Sequence, residues 1–519
     1  MATARLEEHY DLVIIGSGAG GGTLAHALAG TGARILVIER GTFVPQEPEN
    51  WSPEAVWRDL RYRAREEWLD EAGAPFVPYT HYNVGGNSKF WGSVLYRFRR
   101  EDFGELQHVD GVSPAWPIGY DTLAPYYDRA EQLYHVHGEV GHDPTDPPRE
   151  PFPHPPIPHA PDVREIVERL RQRGLHPGPL PLGLIRPGEE GGCILCRTCN
   201  SFPCRIHRKS DAEVCGILPA LERPNVTLLT DATADRLLTD SSGRRVVAVE
   251  VTRHGATHRI GADLFVASCG AINSAALFLR SKNDRHPTGL ANSSGLVGRR
   301  YMAHLATMVS AIIPVPWRWN RAEFQKTVAI NDFYLAGAHG PFPLGHIQTQ
   351  GRIDPVTVRS GAPAHLRRHA SMYPLWVYRW FWTERSVDWL AMSEDLPLPD
   401  NRVFVDDAGR IHLEYRPSNQ SAHQELVART RQMLRDLGFR FPFAASLGSR
   451  NTTHQCGTLC FGTDPASSVL DPFCRTHDVE NLFAVDASFF PSSAAVNPAL
   501  TIVAQALRVA DHIKATHLH

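Results

Sequence analysis

Short, unbroken apolar runs alternate with amphipathic stretches along this chain. Leu12-Val13-Ile14-Ile15 is one such run, and no polar residue interrupts it. That pattern predicts a strand buried on both faces of a parallel sheet. Thr23 to Ala29 reads as a helix and Arg34 to Ile38 as a second strand. The strand pattern returns at Asn225–Thr230, Arg245–Val251 and Asp263–Ser268, the last running into a helix that ends at Arg280. It returns again at Asn481–Asp486, ahead of a strongly apolar helix from Ala499 to Ile513. Strands and helices in alternation predict an α/β fold, α+β overall, with a sheet collected from separated parts of the chain.

Between these parts the pattern changes. Gly138 to Pro187 is rich in proline and histidine, with one amphipathic helix from Asp162 to Arg173 that aligns Val163, Ile166, Val167 and Leu170. Its proline density predicts an extended surface connection, a lid or oligomerisation arm, within an insert spanning 101–189. From 301 to 454 we expect a mixed-sheet substrate domain. There His346, Gln348 and Gln350 alternate with Ile347 and Thr349, so a strand would carry the three polar side chains on one face. Gln348 and Gln350 are candidates for substrate contact. The aromatics from Tyr373 to Trp382 read as core or as a stacking surface for a sugar ring.

The 519 residues are 42% hydrophobic and 21% charged, which supports a large core, and the net charge is -3. No basic field serves a nucleic acid. No apolar run reaches the roughly 18 residues of a membrane span, and the N-terminus has no secretory signal. These features predict a cytoplasmic enzyme acting on a small molecule.

The chemistry begins right after the first strand. Gly16-Ser17-Gly18-Ala19-Gly20-Gly21 is the dinucleotide-binding glycine pattern in strand–helix–strand context, with Glu39 and Arg40 closing the second strand. Gly16 suits the tight turn, Gly18 the approach of a pyrophosphate, Gly21 close helix–strand packing, and Glu39 the ribose. The motif alone serves FAD or NAD. Its place near the N-terminus and the C-terminal elements favour FAD. A second glycine loop, Val84 to Gly92, holds Gly85, Gly86, Asn87, Ser88, Trp91 and Gly92. Cys193, Cys196, Cys199 and Cys204 could ligate an iron–sulfur cluster or zinc, pair as disulfides, or stay as thiols. Near the C-terminus stand His454, then Asp486-Ala487, then Asn497-Pro498-Ala499. Pro498 opens the last helix without cost and restrains Asn497 to an extended backbone.

These segments resemble the glucose–methanol–choline (GMC) flavin oxidoreductases. The resemblance rests on Gly16–Gly21 with Glu39, Gly85-Gly86, the Gly270–Ser274 and Asn292–Arg299 stretches, and His454 through Ile513. It implies a p-hydroxybenzoate-hydroxylase-like architecture with a Rossmann-like FAD domain over 1–100, 190–300 and 455–519. It also implies His454 as catalytic base with Asn497 as partner, Asp486 near the flavin phosphates, and Ala234 at the adenine. The His–Asn pair looks most like the pyranose-oxidase and bacterial glycoside 3-oxidase branch. That implies oxidation of a secondary pyranose hydroxyl, C2 or C3, with hydride passing to flavin N5 and electrons to oxygen or a quinone. Lys89 stands where many pyranose oxidases carry a flavin-linking histidine, which implies non-covalent FAD. Two alternatives accompany this reading: a sugar-dehydrogenase subunit wired through a cysteine-bound cluster, or an oxidase of a non-sugar alcohol.

Overall fold

Parallel pairing of the apolar runs organises the computed structural model, which describes residues 7–312, 324–351, 354–360, 372–379 and 383–518. His9–Ile15 lies between Ile35–Ile38 and Ala256–Ala267, parallel to both. Val226–Leu229 adds in parallel beyond Ile35–Ile38, and Leu482–Ala484 pairs in parallel with Ala256–Ala267. Val246–Arg253 and Ala232–Thr239 continue the sheet antiparallel. One seven-stranded sheet thus draws on both ends and the middle of the chain. Ala232–Thr239 escaped the sequence reading because Asp235 and Arg236 break its apolar pattern. The strand expected at Asp263–Ser268 starts earlier, at Ala256, through an exposed polar arm.

The second sheet runs Arg440–Ser446, Leu305–Ile312, Ser386–Ser393, His346–Thr349, Val328–Ile330 and Gly178–Pro179, antiparallel throughout. Strand side chains alternate between faces. Val309, Ala311, Trp389 and Ala391 bury against the helices Gln420–Asp436 and Pro161–Arg171. Ala306, Met308, Leu390 and Met392 point the other way, toward the first domain, and form a small apolar cluster. The register sets Ala306 beside Met392 and Met308 beside Leu390.

Within the 101–189 insert, the residues ahead of the proline-rich stretch belong to the core. Phe103, Trp116, Tyr120 and Tyr127 are buried in the main core, and the helix Tyr120–Leu133 packs on the C-terminal helix Ala499–Thr516. The amphipathic helix buries Val163, Ile166, Val167 and Leu170 in the second core. Proline here shapes a path between two cores. Among the described residues, no helix is long and apolar enough to cross a membrane.

The second glycine loop is anchored by buried charge. Lys89 is 1% exposed and its ammonium lies 3.1 Å from Asp211 and 2.8 Å from Glu213. Burial alone would push Lys89 down, but the two carboxylates outweigh it and hold the group above its ordinary value. Removing the cation would leave two anions in a low-dielectric interior. Lys89→Met should therefore cost about 3–5 kcal/mol of stability in urea unfolding of the holoenzyme. Adding Asp211→Asn and Glu213→Gln to that variant should restore most of the loss.

Candidate active site

The carboxyl ends of the parallel strands and the starts of three helices meet at one cavity of about 720 Å³. The second sheet closes its far side through Ala306, Met308, Gln348, Leu390 and Met392. Gly16, Gly18, Gly20, Glu39, Arg40, Gly86, Asn87, Ser88, Trp91, Gly92, Ala234, Asp486, Ala487, Asn497, Pro498 and Ala499 all line it, as do His454, Gln348 and Gln350. Gly21 and Gly85 do not, and each has a packing reason to be glycine. A Cβ on Gly21 would fall on the Gly16 carbonyl. Gly85 has φ +87° and packs against Glu213 and Lys89.

The helices Ala19–Leu28, Ala271–Arg280 and Ala499–Thr516 begin at Gly18, Gly270 and Pro498, and none receives a hydrogen bond from its own N-cap side chain. Gln455 Oε1 accepts from Ile272 N at 2.9 Å in the middle helix, while the other two starts leave backbone N–H donors and the positive dipole end for an anionic ligand. A Cβ on Gly18 would meet nothing within 4 Å, so this turn faces open cavity. These features fit a dinucleotide such as FAD, its pyrophosphate at the first helix.

Two carboxylates brace the glycine loops. Glu39 accepts from Ser17 N at 3.1 Å, Ser17 Oγ at 2.6 Å and Gly41 N at 3.0 Å. Ser17 Oγ in turn accepts from Gly85 N, which ties the two glycine loops together. A carboxylate has about four acceptor sites, so Glu39 keeps capacity for a ribose hydroxyl. Asp486 accepts from Gly270 N, Ser274 Oγ and Ser488 N at 3.0, 2.6 and 2.8 Å. Burial pushes both carboxyls up.

The far end of the cavity holds the acid–base group. His454 Nδ1 lies 2.8 Å from Nδ1 of His304, whose Nε2 lies 3.1 Å from the Ser493 carbonyl. The rings meet edge to face, 4.9 Å apart. Burial pushes both imidazoles down, and for His454 the neighbouring His304 and Lys326 add to the effect. Asn497 is not a helix cap: its Oδ1 is buried without a hydrogen-bond partner among the described residues. An unmet buried acceptor costs about 1–3 kcal/mol unless a ligand supplies a donor.

Sequence reasoning missed His304, Lys326 and Asn200, which the fold brings from separate segments. His304 lies just past the Asn292–Arg299 stretch, and that proximity was its only clue. His346 shares a strand face with Gln348 but turns to Asn331 at 2.6 Å instead of lining the cavity. Tyr373 and Trp376 are exposed and belong to no core, while Trp380, Phe381 and Trp382 lie outside the described residues. No disulfide joins the cysteine run. All four are free thiols, and among the described residues no three His, Cys, Asp or Glu side chains are placed to hold a metal. Burial raises the Cys193 thiol to about 12 and also raises Cys199.

Comparison with known proteins agrees with this geometry. The family models described as GMC oxidoreductase match residues 78–306 and 368–506. Paromamine 6'-oxidase of Streptomyces fradiae is 32% identical, with 97% of this chain and 91% of the relative covered. 6'''-Hydroxyparomomycin C oxidase of Streptomyces lividus is also 32% identical, with 98% and 92% covered. Pyridoxine 4-oxidase from Mesorbium loti shares the fold with a TM-score of 0.68 at 20% identity, covering 98% of this chain and 99% of that one. The chain therefore belongs to the GMC oxidoreductase family and is an FAD-dependent enzyme that oxidises alcohol groups.

Proposed function

We propose that this enzyme oxidises a hydroxyl carbon of a sugar or glycoside, with His454 as the base, Asn497 as its partner and FAD held non-covalently. When bound, FAD supplies the two-electron acceptor for the hydride. The observation that carries the base assignment is the His454–His304–Ser493 chain. The Ser493 carbonyl can only accept, so His304 Nε2 carries its proton. Burial keeps His304 neutral, so its Nδ1 is bare and accepts from His454 Nδ1–H. His454 is then fixed as the tautomer whose Nε2 holds a lone pair. A substrate hydroxyl in the cavity can give its proton to that nitrogen. Asn497 Oδ1, which has no partner among the described residues, helps to orient the reacting group.

The sugar reading draws on the polar wall of Gln348, Gln350, Asn200 and Lys326 and on the activities of the two Streptomyces relatives. Those names favour an exocyclic, 6'-type carbon over the ring carbons C2 and C3. They also favour oxygen as the acceptor. The proposal of non-covalent attachment draws on Lys89, which ion-pairs with Asp211 and Glu213 and does not line the cavity.

His454→Ala should slow anaerobic flavin bleaching by substrate about 10²–10⁴-fold while FAD stays bound; bleaching at the native rate would reject His454 as base. His304→Ala should slow it roughly 10²-fold, because the base loses its tautomer lock. An unchanged single-turnover rate in Asn497→Ala would reduce Asn497 to a wall residue. The neutral base is present above its pKa, and that pKa is depressed. Bleaching rates should therefore hold steady as pH falls through the ordinary imidazole range, near 6.5, and drop only below it. NMR of the product from a panel of free sugars and glycosides separates an aldehyde at the exocyclic carbon from a ring ketone. Failure of every sugar to bleach the flavin would overturn the substrate class.

A further inference from the structure

A lysine ammonium has three N–H donors and no acceptor. Two buried lysines beside the cavity spend them differently. Lys209 gives its donors to the carbonyls of Trp91, Cys199 and Phe202 at 2.9, 2.7 and 2.7 Å and does not line the cavity. Lys326 does line it, is 2% exposed, and among the described residues meets two acceptors: the Gly92 carbonyl at 2.9 Å and Asn200 Oδ1 at 3.0 Å. No carboxylate among the described residues pairs with it.

The lysine dictates the polarity of the contacts that follow. Because Asn200 Oδ1 accepts from Lys326, the amide nitrogen of Asn200 turns to Gln350 Oε1, 2.6 Å away. Gln350 then presents its own amide nitrogen as a donor on the cavity wall. The third Lys326 N–H and Gln350 Nε2 have no protein acceptor among the described residues. Gly92 completes the arrangement, since a Cβ there would fall on Lys326 Nζ and Asn200 Oδ1. Two unmet donors, one of them cationic, form a site for an acceptor that carries negative charge.

We propose that Lys326 and Gln350 form an anion subsite, and that the sugar or glycoside presented to His454 carries a carboxylate whose oxygens accept from both. This inference rests on the sugar reading and narrows it. The charges around Lys326 agree with such a role. Burial lowers Lys326 to about 7; the nearby Cys199 thiol acts in the opposite direction, and Lys209 adds to the lowering. His454 feels its charge. Arg197, Arg450 and Asp354 line other parts of the cavity, with Arg450 ion-paired to Asp70. A bound carboxylate would favour the ammonium form, so affinity for it should fall as pH rises through the Lys326 titration.

The test compares two glycosides of one sugar, with carboxymethyl and hydroxyethyl aglycones, binding to oxidised holoenzyme and followed by the flavin difference spectrum. At about pH 6 the carboxylate should bind roughly tenfold tighter, and the preference should shrink toward about pH 9. Lys326→Met should remove the preference, the carboxymethyl glycoside losing roughly tenfold more affinity than the hydroxyethyl glycoside. Gln350→Glu, which places a carboxylate beside the ammonium, should remove it as well. Equal binding of the two ligands by the native enzyme would overturn the inference. So would a parallel loss of both in Lys326→Met with FAD content unchanged, which would make Lys326 only a tie between Gly92 and Asn200. Either failure leaves the sugar reading standing wherever neutral sugars still bleach the flavin.

Discussion

Three helices begin at one cavity wall, and their own N-cap side chains leave the first turns without a hydrogen bond. Backbone N–H groups at a helix start must find acceptors; Gln455 Oε1 serves Ile272 N in the middle helix, and the other two starts leave theirs to whatever fills the cavity. Much of the architecture follows from bringing those starts together. The parallel sheet aims strand ends at the same point. Glycine at 16 and 20 lets the backbone close in, because a Cβ at either position would fall on the carbonyl of Ser268 or Val485. Glu39 and Asp486 then hold the loops by accepting backbone and hydroxyl hydrogen bonds.

The parts of this design that are local in sequence could be read from the chain. The glycine fingerprint, the flanking strands and the Asn497-Pro498-Ala499 helix start each depend on neighbours a few residues away. Gln348 and Gln350 were also legible, since a period of two places them on one strand face and that face lines the cavity. His304 was not. It reaches His454 across 150 residues, through pairing that sets Met302 against Cys456. The proline-rich segment misled for a related reason: proline density reports an extended backbone and says nothing about which core that backbone crosses. The cysteine spacing left disulfides open, and the fold pairs none of these thiols.

Three buried lysines near the cofactor loop show how partners decide what a charge does. Lys89 has two carboxylates and serves as an anchor. Lys209 has a cage of carbonyls and joins the Trp91 and Phe202 segments. Lys326 has two neutral acceptors and a cavity in front of it. All three positions are nearly free of solvent, so the difference between them lies in hydrogen-bond saturation rather than burial. Only the unsaturated lysine can still respond to a ligand.

That response reaches the base. His304, His454 and Lys326 are all cations when protonated, and they crowd one end of the cavity. Burial and mutual repulsion therefore favour a neutral His454, which a base requires before it takes a proton. The same repulsion opposes the proton transfer itself, because His454 becomes a cation next to Lys326. An anion bound at Lys326 would offset that charge and raise the proton affinity of His454 when substrate is in place. Recognition and proton transfer would then be coupled through one electrostatic interaction: a substrate without the anion would meet a weaker base even if its hydroxyl reached the same position.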